Sequence, residues 1–427
     1  MTPALKLPSA AFLLLCCALP VAAQTYQPKT IQFKGAGEYS SAELSAAADL
    51  KKSGGLTTAQ MNDHTKLLMD TGLFQDISFK YNGQDLVFEM VPVAQLYPLR
   101  LENLPVNIGN GLDERLHARL PLFHGKVPVS GSLLDSIQNE LQDELAAAGI
   151  KATVAVTPYT DITLGKVTAM SFNVTEPDVE VGQIQLQGAS AAYADKAKAA
   201  LAKLSGTPYS FDGSVSQLQT NLTNFYGAQG YLEAKIDAVA QPSTVVDSDG
   251  VHIPFTVTVE EGSQYKLAGV QLAPGFIVSQ SDFDKLSGLH PGEVASFTKL
   301  RANWDFLARL YHNHGYIRVK IHPEPAFDRA QGTVSYTVSA EPGPVYATGK
   351  VRVKNVSDEL RQMVLAALKL PPGEPFNEGA IRGMTATHNV NPAFERIIPN
   401  YNLSYTLTPH DDVHVVDVEI DLEPKHP

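Results

Sequence analysis

Four landmarks return in one order along the chain, and this repetition constrains the fold more than any other feature. The first is a short alternating segment ending in a turn residue, at 31–35, 99–103, 184–188, 270–274 and 351–355. Their starts are spaced 68, 85, 86 and 81 residues apart. The second is a glycine ahead of a helical pattern: Gly54, Gly125, Gly206, Gly292 and Gly373, spaced 71, 81, 86 and 81. The third is a glycine leading from a helical pattern into a strand: Gly72, Gly149, Gly230 and Gly315. The fourth is a closing alternating segment at 86–90, 170–174, 253–257, 334–338 and 416–420.

Period-two alternation of apolar residues gives a strand with one buried face. Between the first and third landmarks the apolar spacing turns helical. In the third unit 194–204 carries Ala197, Leu201 and Leu204, and a helix after Ser216 aligns Leu218, Leu222, Phe225 and Tyr226. In the fourth, a helix opening at Phe297 and Thr298 aligns Leu300, Trp304, Leu307 and Tyr311. Gly230 and Gly315 then stand where a helix end favours a left-handed residue, which glycine supplies without a Cβ clash. Asn82-Gly83, Asp249-Gly250 and Gln331-Gly332 predict that the last two strands of a unit form a hairpin. Each unit therefore reads β-α-α-β-β, an α+β fold with two helices covering one face of a small sheet. Five such domains in tandem predict an elongated array.

Ahead of the repeats, Lys6 precedes an apolar stretch from Phe12 to Leu19, Pro20 ends it, and Val21, Ala22 and Ala23 are small. That order predicts a secretory signal peptide over 1–23, cut after Ala23. The stretch falls well short of the roughly 20 residues of a spanning helix. Lipidation at Cys16 or Cys17 is the rival, opposed by Leu15, where a lipoprotein signal wants a small residue. Both cysteines lie in this segment, so cleavage would leave neither a disulfide nor a thiolate metal site. A formal charge of −12 and a pI near 5.5 argue against a nucleic-acid binder, which needs a basic stripe. With 44% hydrophobic residues, 31 glycines and 28 prolines, the composition excludes collagen and a disordered chain. An exported, water-soluble protein is expected.

The third unit runs strand, helix, glycine and helix into Phe225-Tyr226-Gly-Ala-Gln-Gly230-Tyr231-Leu-Glu-Ala234, then 253–262 ending Glu260-Glu261-Gly262. This resembles POTRA domains, the polypeptide-transport-associated modules. The fourth unit repeats it from Leu310-Tyr311 through Gly315-Tyr316 to Pro342-Gly343, and the first carries Leu73-Phe74 after Gly72. Unit two has no aromatic after Gly149, and unit five has no glycine near Asn400 and Tyr401. The resemblance extends over 27–424 and implies domains at 27–95, 96–177, 178–262, 263–343 and 344–424. Rows of such modules form the periplasmic part of Omp85/BamA-type outer-membrane assembly proteins, which continue into a transmembrane β-barrel. Here the sequence stops at Pro427, just after the fifth closing strand, so neither a barrel nor membrane insertion is expected of it.

Clusters that carry chemistry are sparse. His312 and His314, two apart on a helix, point to different faces and are expected as exposed helix-end residues rather than a metal pair. His410, Asp411, Asp412 and His414 would make a denser ligand set, but they fall in a hairpin, where polar turn residues are expected anyway. Glu260 and Glu261 are expected as solvated or inter-domain groups, and Trp304 as core. There is no Gly-x-Ser-x-Gly elbow, His-Glu-x-x-His helix or phosphate-cradling glycine loop. No catalytic, cofactor-binding or metal-binding residue is assigned, no cofactor is expected, and an enzyme is not expected.

Two readings stay open. One is a non-enzymatic periplasmic scaffold or chaperone-like protein that binds unfolded or extended polypeptides in outer-membrane protein assembly or secretion, with an outer-membrane β-barrel protein as a candidate partner. The other is a structural arm that docks one folded envelope partner. The resemblance implies that the strand after the second helix lies at the sheet edge: near 77–81, 151–157, 232–238, 317–322 and 403–408. Unpaired N–H and C=O groups on such an edge accept an extended peptide by β-augmentation. Lys151, Lys235, Arg318 and Lys320 fall on these segments as candidate guards against pairing.

Overall fold

A computed structural model describes residues 25–50, 55–385 and 400–425. The signal segment with Lys6, Cys16 and Cys17, and the landmark Gly54, lie outside the described residues. Packing divides the chain into two units: 1–183 with 206–214 and 240–254, and 184–205 with 215–239 and 255–427.

In the first unit, Thr30–Lys34 runs parallel to the closing strand Asp85–Pro92, whose other side pairs antiparallel with Phe74–Tyr81. The next repeat has the same order, Tyr97–Leu101 beside Lys166–Glu176 beside Thr153–Asp161, with Lys126–Val127 added on the opening strand. In the second unit the order is Lys266–Leu272, Thr333–Glu341, Lys320–Asp328, and again Ala347–Lys354, Val415–Pro424, Tyr401–His410. The third repeat, through which the division passes, orders Val179–Gln187, Val251–Glu260 and Lys235–Ala240 alike. The expected tandem α+β units are therefore present, including repeats two and five, whose glycine motifs are incomplete.

In repeats one, two, four and five the opening and closing strands are parallel, and a parallel pair needs a crossover. The two helices of each repeat make it. They are Ser41–Ala47 with Thr58–Asp70, Leu112–Arg119 with Ser132–Ala147, Ala194–Ala202 with Gly213–Ala228, Gln280–Ser287 with Phe297–His312, and Asp358–Leu368 with Glu378–Thr385. Side-chain oxygens of Ser40, Thr57, Ser279 and Ser357 accept backbone N–H groups at four of the helix starts, which explains where those helices begin. The third repeat's first helix ends at Ala202, two residues short of the expected 204, and Leu204 is still buried beyond it.

The closing strand has neighbours on both sides, so its inward residues are the most enclosed. Leu86, Phe88, Val334, Val338, Val416, Val418 and Ile420 are all buried. Trp304 is only half-buried, tilted against Tyr336 with ring centroids 5.6 Å apart at the rim of the fourth core.

The glycine-tyrosine signature has a packing reason. At the end of the second helix, Tyr231 N–H returns to Tyr226 O (3.0 Å) and Tyr316 N–H to Tyr311 O (3.2 Å), closing a Schellman turn around the glycine. The paired rings then meet edge to face, 6.0 Å apart for Tyr226–Tyr231 and 5.8 Å for Tyr311–Tyr316.

Candidate functional site

The two edges differ in the third, fourth and fifth repeats, where the opening strand is partly covered by the chain itself. Val181, Leu267 and Thr348 donate N–H to Thr207, Glu293 and Glu374 (2.9, 2.8 and 2.8 Å), and accept in return from Gly206, Gly292 and Gly373, each at 2.8 Å. In these three repeats the glycine of the second landmark is thus where the inter-helix segment turns back onto the sheet. In the fourth repeat a side chain extends this cover. Gln280 Nε2 donates to Val270 O (3.0 Å) and its Oε1 accepts from Leu272 N–H (2.8 Å), so one amide stands in for a strand residue. In the fifth, Arg361 Nε donates to Val353 O (3.0 Å).

The strand after the second helix is a sheet edge in all five repeats: Phe74–Tyr81, Thr153–Asp161, Lys235–Ala240, Lys320–Asp328 and Tyr401–His410. The candidate guards sort differently from expectation. Lys151 lies before its strand. Lys235 opens its strand, 3.4 Å from Glu260 and exposed. Lys320 opens the fourth. Arg318 is not on the edge at all. It sits in the turn before Lys320 and reaches across to the next repeat, because the residue three past the helix-ending glycine faces the following hairpin turn.

That reach belongs to a joint built twice within the second unit. Gly230 O accepts from Tyr265 N–H (2.9 Å), and Gly315 O from Tyr346 N–H (2.8 Å). Leu232 and Ile317, two past each glycine, pack against the core of the following repeat. Tyr265 and Tyr346 are buried, and each hydroxyl donates to a carboxylate, Glu233 and Asp411 respectively. An arginine closes each cluster: Arg329 Nη2 to Glu233 Oε1 at 2.5 Å, and Arg318 Nη2 to Asp411 Oδ2 at 3.0 Å. The charges are exchanged between the two joints. The glycine-plus-three position is acidic at Glu233 and basic at Arg318, while the hairpin position is basic at Arg329 and acidic at Asp411. Hydrogen bonds from Arg329 and Tyr265 hold the Glu233 carboxyl below its ordinary range, and those from Tyr346 and Arg318 do the same for Asp411.

A third contact joins the same repeats. His312 Nδ1 lies 2.8 Å from Glu378 Oε2, Arg382 Nη1 lies 2.9 Å from Glu378 Oε1, and Arg382 Nη2 donates to Asn313 Oδ1 (2.8 Å). His312 is therefore a half-buried inter-repeat residue rather than an exposed helix end, a contact invisible in sequence because Glu378 is 66 residues away. His314 is exposed and its Nδ1 lies 2.8 Å from Leu310 O. His410 Nε2 is 3.4 Å from Asp417, and the His414 ring meets Tyr346 at 5.4 Å. Glu261 accepts from Ser190 N–H (2.8 Å) and from Tyr226 OH (3.0 Å). Among the described residues no three or more histidine, cysteine or acidic side chains are grouped to hold a metal ion, and no helix is long and apolar enough to cross a membrane.

Comparison with known proteins bears on the same repeats. Residues 179–262 match the family model described as "Surface antigen variable number repeat", the POTRA family. The chain is 23% identical over 156 residues to a Treponema pallidum (strain Nichols) protein named "Putative outer membrane protein assembly factor", covering 36% of this chain and 19% of that one. It is 19% identical over 385 residues to "Outer membrane protein assembly factor BamA" of Buchnera aphidicola, covering 86% of this chain and 60% of that protein. The chain thus spans about a fifth and about three-fifths of the lengths of these relatives. A crystal structure of Haemophilus influenzae BamA POTRA3-5 aligns with a TM-score of 0.44 at 14% identity, over 57% of this chain and 96% of that one. The repeats described here resemble POTRA domains and the assembly proteins that carry them.

Proposed function

We propose that this protein is a non-enzymatic periplasmic scaffold for outer-membrane protein assembly, with domains at 27–95, 96–177, 178–262, 263–343 and 344–424. Its role is to hold extended polypeptides by adding them to the sheet edge after the second helix. One observation carries the reading: that strand is a sheet edge in all five repeats, whereas the opposite edge is closed by the chain's own backbone in several of them. Backbone pairing recognises an extended chain without requiring one sequence, which suits a protein with many clients. The names of the relatives in Treponema and Buchnera support the setting, outer-membrane protein assembly, and the resemblance to POTRA modules supports the compartment.

The test is cross-linking in cells followed by capture of the full chain. Several unfolded outer-membrane barrel proteins in sub-stoichiometric amounts support the reading. One folded envelope protein at a fixed one-to-one ratio replaces it with a docking arm.

A further inference from the structure

The five outer edges are not equivalent. In an antiparallel pair, alternate residues turn both backbone groups toward the partner or away from it. In the fifth repeat Lys425 N–H donates to Asn400 O (2.9 Å), which sets the even-numbered residues of Tyr401–His410 toward the closing strand. Tyr401, Leu403, Tyr405 and Leu407 therefore turn their N–H groups outward, and Pro409 has none to offer.

The fourth repeat has the same frame and loses its centre. Pro323 and Pro325 face Val338 and Tyr336, as Tyr405 and Leu407 face Ile420 and Val418. Both outward donors in the middle of that edge are missing. In the second repeat Val154 N–H donates to Gln142 Oε1 (3.1 Å) and its C=O accepts from Gln138 Nε2 (2.7 Å). Pro158, at the same parity, lacks a donor, so Val156 alone between them keeps its outward pair available. The first edge carries Asp76 and Lys80, and the third Lys235 and Asp237. Charged side chains and prolines are the usual means of keeping an edge unpaired. From Tyr401 to Thr408 the fifth edge has neither.

We propose that strand addition takes place at the outer edge of the fifth repeat, over Tyr401 to Leu407. The occupant is an extended segment of another polypeptide that alternates apolar residues with uncharged or basic ones. This placement rests on the strand-addition reading above. The alternation follows from the two faces of the edge. Leu403, Tyr405 and Leu407 pack against the fifth core, so the residues beside them on an added strand are apolar. On the other face Ser404, Thr406 and Thr408 stand directly opposite Asp421, Glu419 and Asp417. Lys354 pairs with Glu419 from the far side, at 2.5 Å, and His410 Nε2 lies 3.4 Å from Asp417, so the charges beside Ser404 and Thr406 are the carboxylates of Asp421 and Glu419. Acidic residues there are repelled and basic ones attracted.

The experiment uses the full chain and a fluorescent ten-residue peptide alternating Val or Leu with Thr or Lys. Binding is followed by anisotropy, and position by a photo-cross-linking residue placed at Thr406 or, separately, at its counterpart Glu324. The expected result is a cross-link at Thr406 and none at Glu324, with Leu407→Pro weakening binding at least tenfold. Exchanging Pro323→Tyr with Pro325→Leu should create a second site, seen as a new cross-link at Glu324; this arm does not depend on the Leu407→Pro chain folding. Equal cross-linking at both positions in the unaltered chain, or no gain from the exchange, overturns the placement and leaves strand addition standing. Failure of the unaltered chain to bind the peptide overturns both.

Discussion

At the residue scale, two glycines carry more than a helix end. Gly230 and Gly315 have φ of +86°, and a Cβ on either would come within 2.9 Å of Tyr265 O or 2.8 Å of Tyr346 O. A valine there meets both the left-handed backbone penalty, about 1–2 kcal/mol, and a backbone collision. Gly230→Val and Gly315→Val should each lower unfolding stability by more than about 1 kcal/mol, measured by urea titration; unchanged curves for both would remove this account. Glu378 makes a pH prediction. A hydrogen bond from His312, with the charge of Arg382, holds its carboxyl below the ordinary range against the opposing effect of burial. A depressed folded value means the contribution is present above the unfolded value, roughly 4.3, and is lost as pH falls through the folded one. Glu378→Gln should flatten that acid limb in melting curves taken from neutral pH downward, and an identical limb in the variant would contradict it. The positive φ was legible from sequence, because few other residues end a helix that way. The close approach of Tyr265 and Tyr346 was not, since nothing local marks which backbone will lie there.

At the element scale, the exchanged charges of the two joints allow a clean test. Asp411→Arg should place two cations together and lower the melting temperature, and adding Arg318→Asp should restore much of the loss. A double variant no better than the single would show that the pair does not couple. Both Glu233 and Asp411 have depressed carboxyls, so their contribution is present at neutral pH and lost as pH falls through their folded values. Asp411, Arg318 and Arg329 are exposed and Glu233 is half-buried, so added salt should weaken the effect, more at Asp411 than at Glu233. Gln280 offers a second test. Gln280→Leu leaves Val270 O and Leu272 N–H unpaired, which should speed hydrogen exchange at the Leu272 amide relative to Val338 on the central strand. Equal exchange would show that the amide does not protect the edge.

For the whole molecule, the N-terminal segment predicts processing. Protein recovered from the periplasm should begin at Gln24, checked by intact mass and N-terminal sequencing. A species starting at Cys16 or Cys17 with added acyl mass would put the lipoprotein signal in its place. The repeats themselves are a whole-molecule property read correctly from the sequence, including units two and five. Their shared strand order overrides the missing aromatic after Gly149 and the missing glycine near Tyr401, because the opening and closing strands of both repeats pair in parallel and so demand the helical crossover that repeats one and four also have.

What the sequence by itself determined was local: alternation set the strands, apolar spacing set the helices, and glycines marked the ends. Each of these depends on residues within a few positions of one another, so a single chain read in order reveals them. The tertiary structure decided everything that joins distant positions. It moved Arg318 from an edge guard to a clamp on Asp411, 93 residues on, and gave His312 its partner in Glu378. It also ranked the edges, because whether a proline removes an inward or an outward donor depends on register, and register exists only once two strands have paired.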